Sequence, residues 1–161
     1  TAALATIKEN NDIQFIWQTG KYYYPQVTEA VRAAGELPNL YVTDFIKDMA
    51  AAYAASDLVI SRAGAGSISE FCLLHKPVVL VPSPNVAEDH QTKNALALVD
   101  KQAAIYVKDS EAEAKLMDVA LNTVADDRKL KELSENIAKL ALPDSARIIA
   151  QEVIKLAEAE N

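Results

Sequence analysis

Residues 57–94 read DLVISRAGAGSISEFCLLHKPVVLVPSPNVAEDHQTKN, and the order of apolar runs and chain breakers within them decides the fold. Residues 58–61 form a short apolar run, Gly64 and Gly66 interrupt it, and Ser67 opens a helical pattern with Ile68, Phe71 and Cys72 at core spacing. A β-branched run at 77–81 then ends in Pro82-Ser83-Pro84, and the polar cluster 88–94 leads into another helix. The stretch is therefore two successive strand-loop-helix units. In an open parallel sheet such loops lie at the carboxyl ends of the strands, where ligands bind.

Working outward, the same alternation continues on both sides. Downstream, residues 92–99 read as helix and 104–107 as a short strand, and Ser110 with Glu113 has the spacing of a capping box for the helix that follows. Three apolar faces come next: Leu116, Val119, Ala120 and Val124; Leu130, Leu133, Ile137 and Leu140; and Ile148, Ile149, Val153 and Leu156, with Pro143 and Asp144 separating the last two. Upstream, residues 40–43 form a strand, and Asp48 is placed to cap an alanine-rich helix at 49–55. Residues 13–18 form another strand, Thr19-Gly20 ends it, and a helix is expected over 25–34. Leu4 and Ile7 stand at helical spacing with no strand or cap before them, so residues 1–9 look like a helix entered partway along.

Five strands alternating with helices predict an α/β domain, a mostly parallel sheet covered on both faces. No repeat, low-complexity run or flexible linker divides the 161 residues, so one domain over 1–161 is expected. The central first strand of a doubly wound sheet has no counterpart here, which would leave two inner strands without a neighbour. The sequence reads as a fragment.

Composition narrows the function classes. Half of the residues are apolar, enough for a real core, and the net charge of -7 with scattered lysines offers no basic stripe for nucleic acid. Nor is there a polybasic patch for anionic lipid or an apolar run long enough to span a bilayer. Cys72 is the single cysteine and falls on the apolar side of its helix, as a small core residue in a reducing, cytoplasmic setting. With two histidines and one cysteine, no metal-ligand spacing occurs, and no G-x-S-x-G elbow supports a serine nucleophile.

The polar residues of the two loops carry the chemistry. Gly64 and Gly66 flank Ala65 at a helix start, so backbone N–H groups there can approach a phosphate or a sugar hydroxyl; an ordinary tight turn is the competing reading. Ser67 and Glu70 share a face, and Glu70 can accept from ribose hydroxyls or serve as a first-turn acid. Arg62 follows a strand directly and is equally suited to a phosphate or to fastening a neighbouring loop. Glu88, Asp89, His90, Gln91 and Asn94 form the densest polar cluster. An acidic helix start explains Glu88 and Asp89 better than Gln91 and Asn94, whose amides suit sugar hydroxyls. The run Tyr22 to Tyr24 could form a stacking patch, but three aromatics in a row before Pro25 are rather expected to pack between loop and helix.

FIKDMAAAYAASDLVISRAGAGSISE from Phe45, PVVLVP from Pro77 and DHQTKNA from Asp89, together with IWQTG from Ile16, resemble the C-terminal domain of the MurG family of N-acetylglucosamine transferases. The resemblance covers almost the whole chain, with the blocks in order and at matching spacing. It implies a Rossmann-like fold, the C-terminal half of a GT-B glycosyltransferase, and a cytoplasmic enzyme peripheral on the inner membrane. UDP-N-acetylglucosamine would be the donor and the lipid-linked muramyl-peptide precursor of peptidoglycan the acceptor, with inversion at the anomeric carbon and no cofactor or metal. Ile46 would meet the uracil through its backbone, with Met49 near the nucleoside. Glu70 would bind the ribose, and Ala65, Gly66 and Ser67 the diphosphate and sugar. Gln91 and Asn94 would read N-acetylglucosamine, with His90 beside the nucleotide and Arg62 a motif residue of unassigned role. The family's glycine-rich loop after its first strand and its acceptor-binding N-terminal domain have no counterpart here, so no catalytic residue is expected in these 161 residues and donor binding alone would be weak. Two alternatives remain: a separate donor-binding subunit of a two-chain transferase, or half of a UDP-sugar epimerase.

Overall fold

The computed structural model describes residues 2–84 and 89–159. In chain order the elements are α1 (Ala2–Glu9), β1 (Phe15–Gln18), α2 (Gly20–Ala34), β2 (Leu40–Thr43), α3 (Met49–Ala55), β3 (Val59–Ser61), α4 (Ala65–Leu73), β4 (Val78–Leu80), α5 (His90–Val99), β5 (Ile105–Tyr106), α6 (Asp109–Val124), α7 (Asp127–Ala138) and α8 (Ser145–Ala159). All five expected strands form, and every pairing is parallel. They make two sheets rather than one, β1-β2 and β3-β4-β5. Among the described residues β1, β2, β3 and β5 each have a single hydrogen-bonded neighbour, and β4 has two.

Period-two alternation in β4 builds the centre. Val78 and Leu80 point to one face, where Phe71 and Cys72 of α4, Ala95 and Leu98 of α5 and Ile137 of α7 close over them. Val79 and Val81 point to the other face, against Val107 and, on α6, Ala112, Leu116 and Val119. Val78, Val79 and Leu80 are fully buried, which is why this strand is the least polar run of the chain. Cys72 is buried as expected, and burial pushes its thiol above the ordinary value. A second cluster joins Leu4 and Ile7 of α1 to Leu37, Phe15, Leu40 and α2. Its polar pin is Asn39, 3% exposed, whose Nδ2 donates to the carbonyls of Ile7, Asn10 and Ile13 at 2.9, 2.9 and 3.1 Å. These bonds close the end of α1 onto the start of β1.

Several expected details differ. Helix α2 begins at Gly20 rather than near Pro25, which lies inside it and deprives the Lys21 carbonyl of its helical partner. Tyr22 and Tyr23 do not pack inward: they are 86% and 58% exposed and meet each other edge-on at 4.9 Å. The Ser110–Glu113 capping box does not form. Helix α6 already includes Asp109, its N-cap position is Lys108 without a side-chain cap, and Asp109 and Glu111 supply first-turn negative charge instead. Asp48 does cap α3, accepting from the Ala51 N–H at 2.9 Å. The third apolar face is present on α8 but stands open, with Ile149 and Leu156 63% and 69% exposed.

Candidate nucleotide-sugar site

Parallel pairing puts the loops after β3 and β4 at one edge of their sheet, and side chains from both loops and from α5 knit that edge together. Arg62, directly after β3, donates from Nη1 to the carbonyls of Val81 and Pro82 at 3.1 and 3.3 Å and pairs with Asp109 at the start of α6. Of its two readings, the structure displays the loop fastener. From α5, Gln91 Oε1 accepts from the Ala63 N–H at 3.2 Å and from the Ser83 N–H at 2.9 Å. Asn94 Nδ2 donates to the Ala63 carbonyl at 3.2 Å. The N–H and the C=O of the buried Ala63 are thus both held by α5, and among the described residues the Gln91 NH2 and Asn94 Oδ1 are the amide groups left for a ligand. His90 is the exposed first residue of the same helix. Asp89 before it takes a left-handed conformation, φ 55°. Glu88 lies outside the described residues.

The glycines of the β3–α4 loop are not explained by the chain itself. Gly64 has φ -69° and is the N-cap of α4, and Gly66 lies in the first turn, so neither occupies the left-handed region that a tight turn would demand. A Cβ built on either meets nothing within 4 Å. Among the described residues no side chain caps α4, and no acid stands in its first turn. The N–H groups of Ala65, Gly66 and Ser67 are therefore in the first turn of a helix without a side-chain cap, at its positive end, an arrangement suited to an anion. Glu70 follows one turn later, with an exposed side chain whose Oε2 accepts a hydrogen bond from Tyr53 Oη at 3.0 Å.

The β2–α3 loop carries the remaining candidates. Ile46 and Met49 are half-buried, and the Ile46 N–H donates to Gln18 Oε1 at 2.8 Å. A ligand must displace Gln18 to reach the Ile46 N–H. Gln18 and Tyr53 were not singled out by sequence. Tyr53 carried a signal, as the lone aromatic in an alanine-rich helix, whereas Gln18 looked like an ordinary strand end. A second groove, whose polar lining includes Ser56, Asp57, His75, Lys76, Lys131 and Ser134, lies at the opposite, amino end of β3 and β4.

Parallel sheets flanked by helices, with an uncapped helix N-terminus and a cluster of amides at the strand ends, make this a Rossmann-like α/β domain. The chain belongs to the family of the glycosyltransferase family 28 C-terminal domain, whose profile matches residues 2–149. It is 79% identical, over 98% of its length, to the UDP-N-acetylglucosamine--N-acetylmuramyl-(pentapeptide) pyrophosphoryl-undecaprenol N-acetylglucosamine transferase of Bacteroides fragilis. The chain spans 41% of that relative's length. Among solved structures, Acinetobacter baumannii MurG superposes with a TM-score of 0.77 at 28% identity, over 87% of this chain and 42% of that one. The glycosyltransferase VinC, solved with DTDP, shares the fold at 20% identity and a TM-score of 0.74, over 98% of this chain and 37% of that one.

Proposed function

We propose that the chain is the donor-binding domain of an inverting N-acetylglucosamine transferase. The donor is UDP-N-acetylglucosamine and the acceptor a lipid-linked muramyl-peptide precursor of peptidoglycan. The observation that carries this reading is the start of α4: two glycines that no internal packing or backbone angle requires, beside uncapped N–H groups. The relatives' shared name supplies the substrates. In this reading 1–161 is one domain, and the rest of the relatives' length provides acceptor binding and the general base at the cytoplasmic face of the membrane. No helix among the described residues is long and apolar enough to cross a membrane, which suits peripheral attachment.

The diphosphate lies over the N–H groups of Ala65, Gly66 and Ser67. As the acceptor hydroxyl attacks the anomeric carbon and UDP departs, the charge growing on the diphosphate meets dipoles that are already oriented and need no reorganisation. Glu70 accepts from the ribose hydroxyls, the Ile46 carbonyl meets the base beside Met49, and Gln91 NH2 with Asn94 Oδ1 reads the sugar, His90 lying near. Arg62 acts on the donor only through the loops it fastens. The test is a titration of the isotope-labelled full-length protein with UDP-N-acetylglucosamine, followed by amide NMR. Shifts concentrated at residues 65–70 and at Gln91 and Asn94 are expected. Unmoved amides there at millimolar ligand would overturn the site, and a full-length protein unable to glycosylate the lipid-linked acceptor would overturn the reaction.

A further inference from the structure

We infer that Tyr53 is a positioning residue that presets the Glu70 carboxylate for the two ribose hydroxyls of the donor, an inference resting on the ribose-binding reading of Glu70. Glu70 is exposed on α4 and has three rotatable side-chain bonds, so nothing in its own helix selects the rotamer that faces a nucleoside. Tyr53 supplies that selection from the neighbouring helix. Its ring meets Phe71 edge-on at 5.8 Å, and Phe71, the residue after Glu70, is 1% exposed in the main core. The phenol is a short arm with few torsions, anchored at one end in the core and donating at the other to Glu70 Oε2 at 3.0 Å.

The end of α3 is itself held in place. Ser56 Oγ donates to the Tyr53 carbonyl at 3.1 Å, and Lys76 Nζ donates to the Ser56 carbonyl at 2.8 Å. Helix α3 is thereby tied to the turn after α4, at the far end from the ligand loops. A carboxylate has about four acceptor positions, and the tyrosine fills one. Oε1 and the second lone pair of Oε2 remain for two hydroxyl donors on adjacent ribose carbons. Burial and the Glu70 charge push the Tyr53 phenol up to about 12, so it stays a neutral donor across the whole physiological range.

The preset carboxylate makes hydroxyl recognition the quantity to measure. In the full-length enzyme, Tyr53→Phe keeps the ring on Phe71 and removes only the donor. It should weaken UDP binding about three- to tenfold, the span of one lost hydrogen bond, and weaken 2′-deoxy-UDP, which keeps only the 3′-hydroxyl, by less, so that the ratio between the two ligands narrows. KM for the donor rises with little change in kcat. In a Glu70→Gln background the same change should have no further effect on the UDP to 2′-deoxy-UDP ratio, because the group it positions is gone. Glu70→Asp, which retracts the carboxylate from the phenol while Tyr53 is kept, should narrow the ratio as well, and it stands as a second test should the phenylalanine variant fold poorly. A ratio unchanged in Tyr53→Phe but narrowed in Glu70→Gln overturns the role of Tyr53. One unchanged in Glu70→Gln overturns the ribose reading of Glu70, and with it this proposal.

Discussion

Gly66 separates stability from binding at a single position. It sits in the first turn of α4 at a negative φ, with nothing within 4 Å of a built Cβ, so Gly66→Ala meets no obstacle inside the chain. Alanine restricts the unfolded chain and favours the helix, so thermal or urea unfolding should show a gain of about 0.5–1 kcal/mol. In the proposed donor complex the same methyl group would intrude on the diphosphate, and UDP affinity should fall at least about tenfold. A variant that is both more stable and equally tight would return Gly66 to an ordinary helix residue. Tyr53 gives a second prediction, in pH. Its folded value of about 12 exceeds the ordinary 10.0, so the contribution of the protonated phenol is whole below pH 10 and is lost as pH rises through 12, the unfolded chain ionising first. Urea midpoints of the wild type and Tyr53→Phe should therefore differ below pH 10 and converge towards pH 12.

Helix α5 works as a clasp between two loops, and the Gln91 amide divides that work between its atoms. Oε1 holds the N–H groups of Ala63 and Ser83, and the NH2 remains for a ligand. Gln91→Glu keeps an acceptor for both N–H groups and deletes the NH2 donor, so its melting temperature should stay near wild type while KM for the donor sugar rises. Gln91→Ala should lose both the clasp and the affinity; equal melting temperatures for the two variants would show that the clasp contributes nothing. The strands and helices of this region were legible because their apolar spacing is strong, as in Val78 to Leu80 and Leu133 with Ile137. Helix ends were less legible. Helix α4 stops in a 6→1 and 5→2 bond pair, Lys76 N–H to the Phe71 carbonyl and His75 N–H to that of Cys72, with His75 rather than glycine at φ 54°. Helix α5 ends similarly, with Gln102 at φ 53°. Within the site, motif spacing marked Glu70, Gln91 and Asn94, but sequence does not reveal that Tyr53 reaches Glu70 across 17 residues or that Gln18 reaches Ile46 across 28. Such contacts depend on how α3 and β1 are placed, which local pattern does not encode.

At the scale of the molecule, the surface is at odds with a charge of -7 and a well-packed centre. Strands β1 and β3 each show a free edge among the described residues, with Ile16 48% and Ile60 44% exposed beside them. Helix α8 adds Ile148, Ile149, Val153, Ile154 and Leu156, all at least half exposed. Covering a side chain of this kind is worth about 1.5–3 kcal/mol, so leaving all of them in water is a large cost for a domain of marginal stability. The chain spans 41% of its relative's length, and in the proposed full-length enzyme the remaining length would be expected to cover these surfaces. The 161-residue chain should then bind an apolar dye such as ANS and exchange its α8 amides quickly, whereas the full-length protein should suppress dye binding and protect residues 148–156. Net charge slows aggregation of the short chain without hiding the apolar surface, so the two measurements are made on soluble protein. Equal dye binding and equal exchange in both lengths would show that the rest of the enzyme packs elsewhere, leaving the open face of α8 to some other contact.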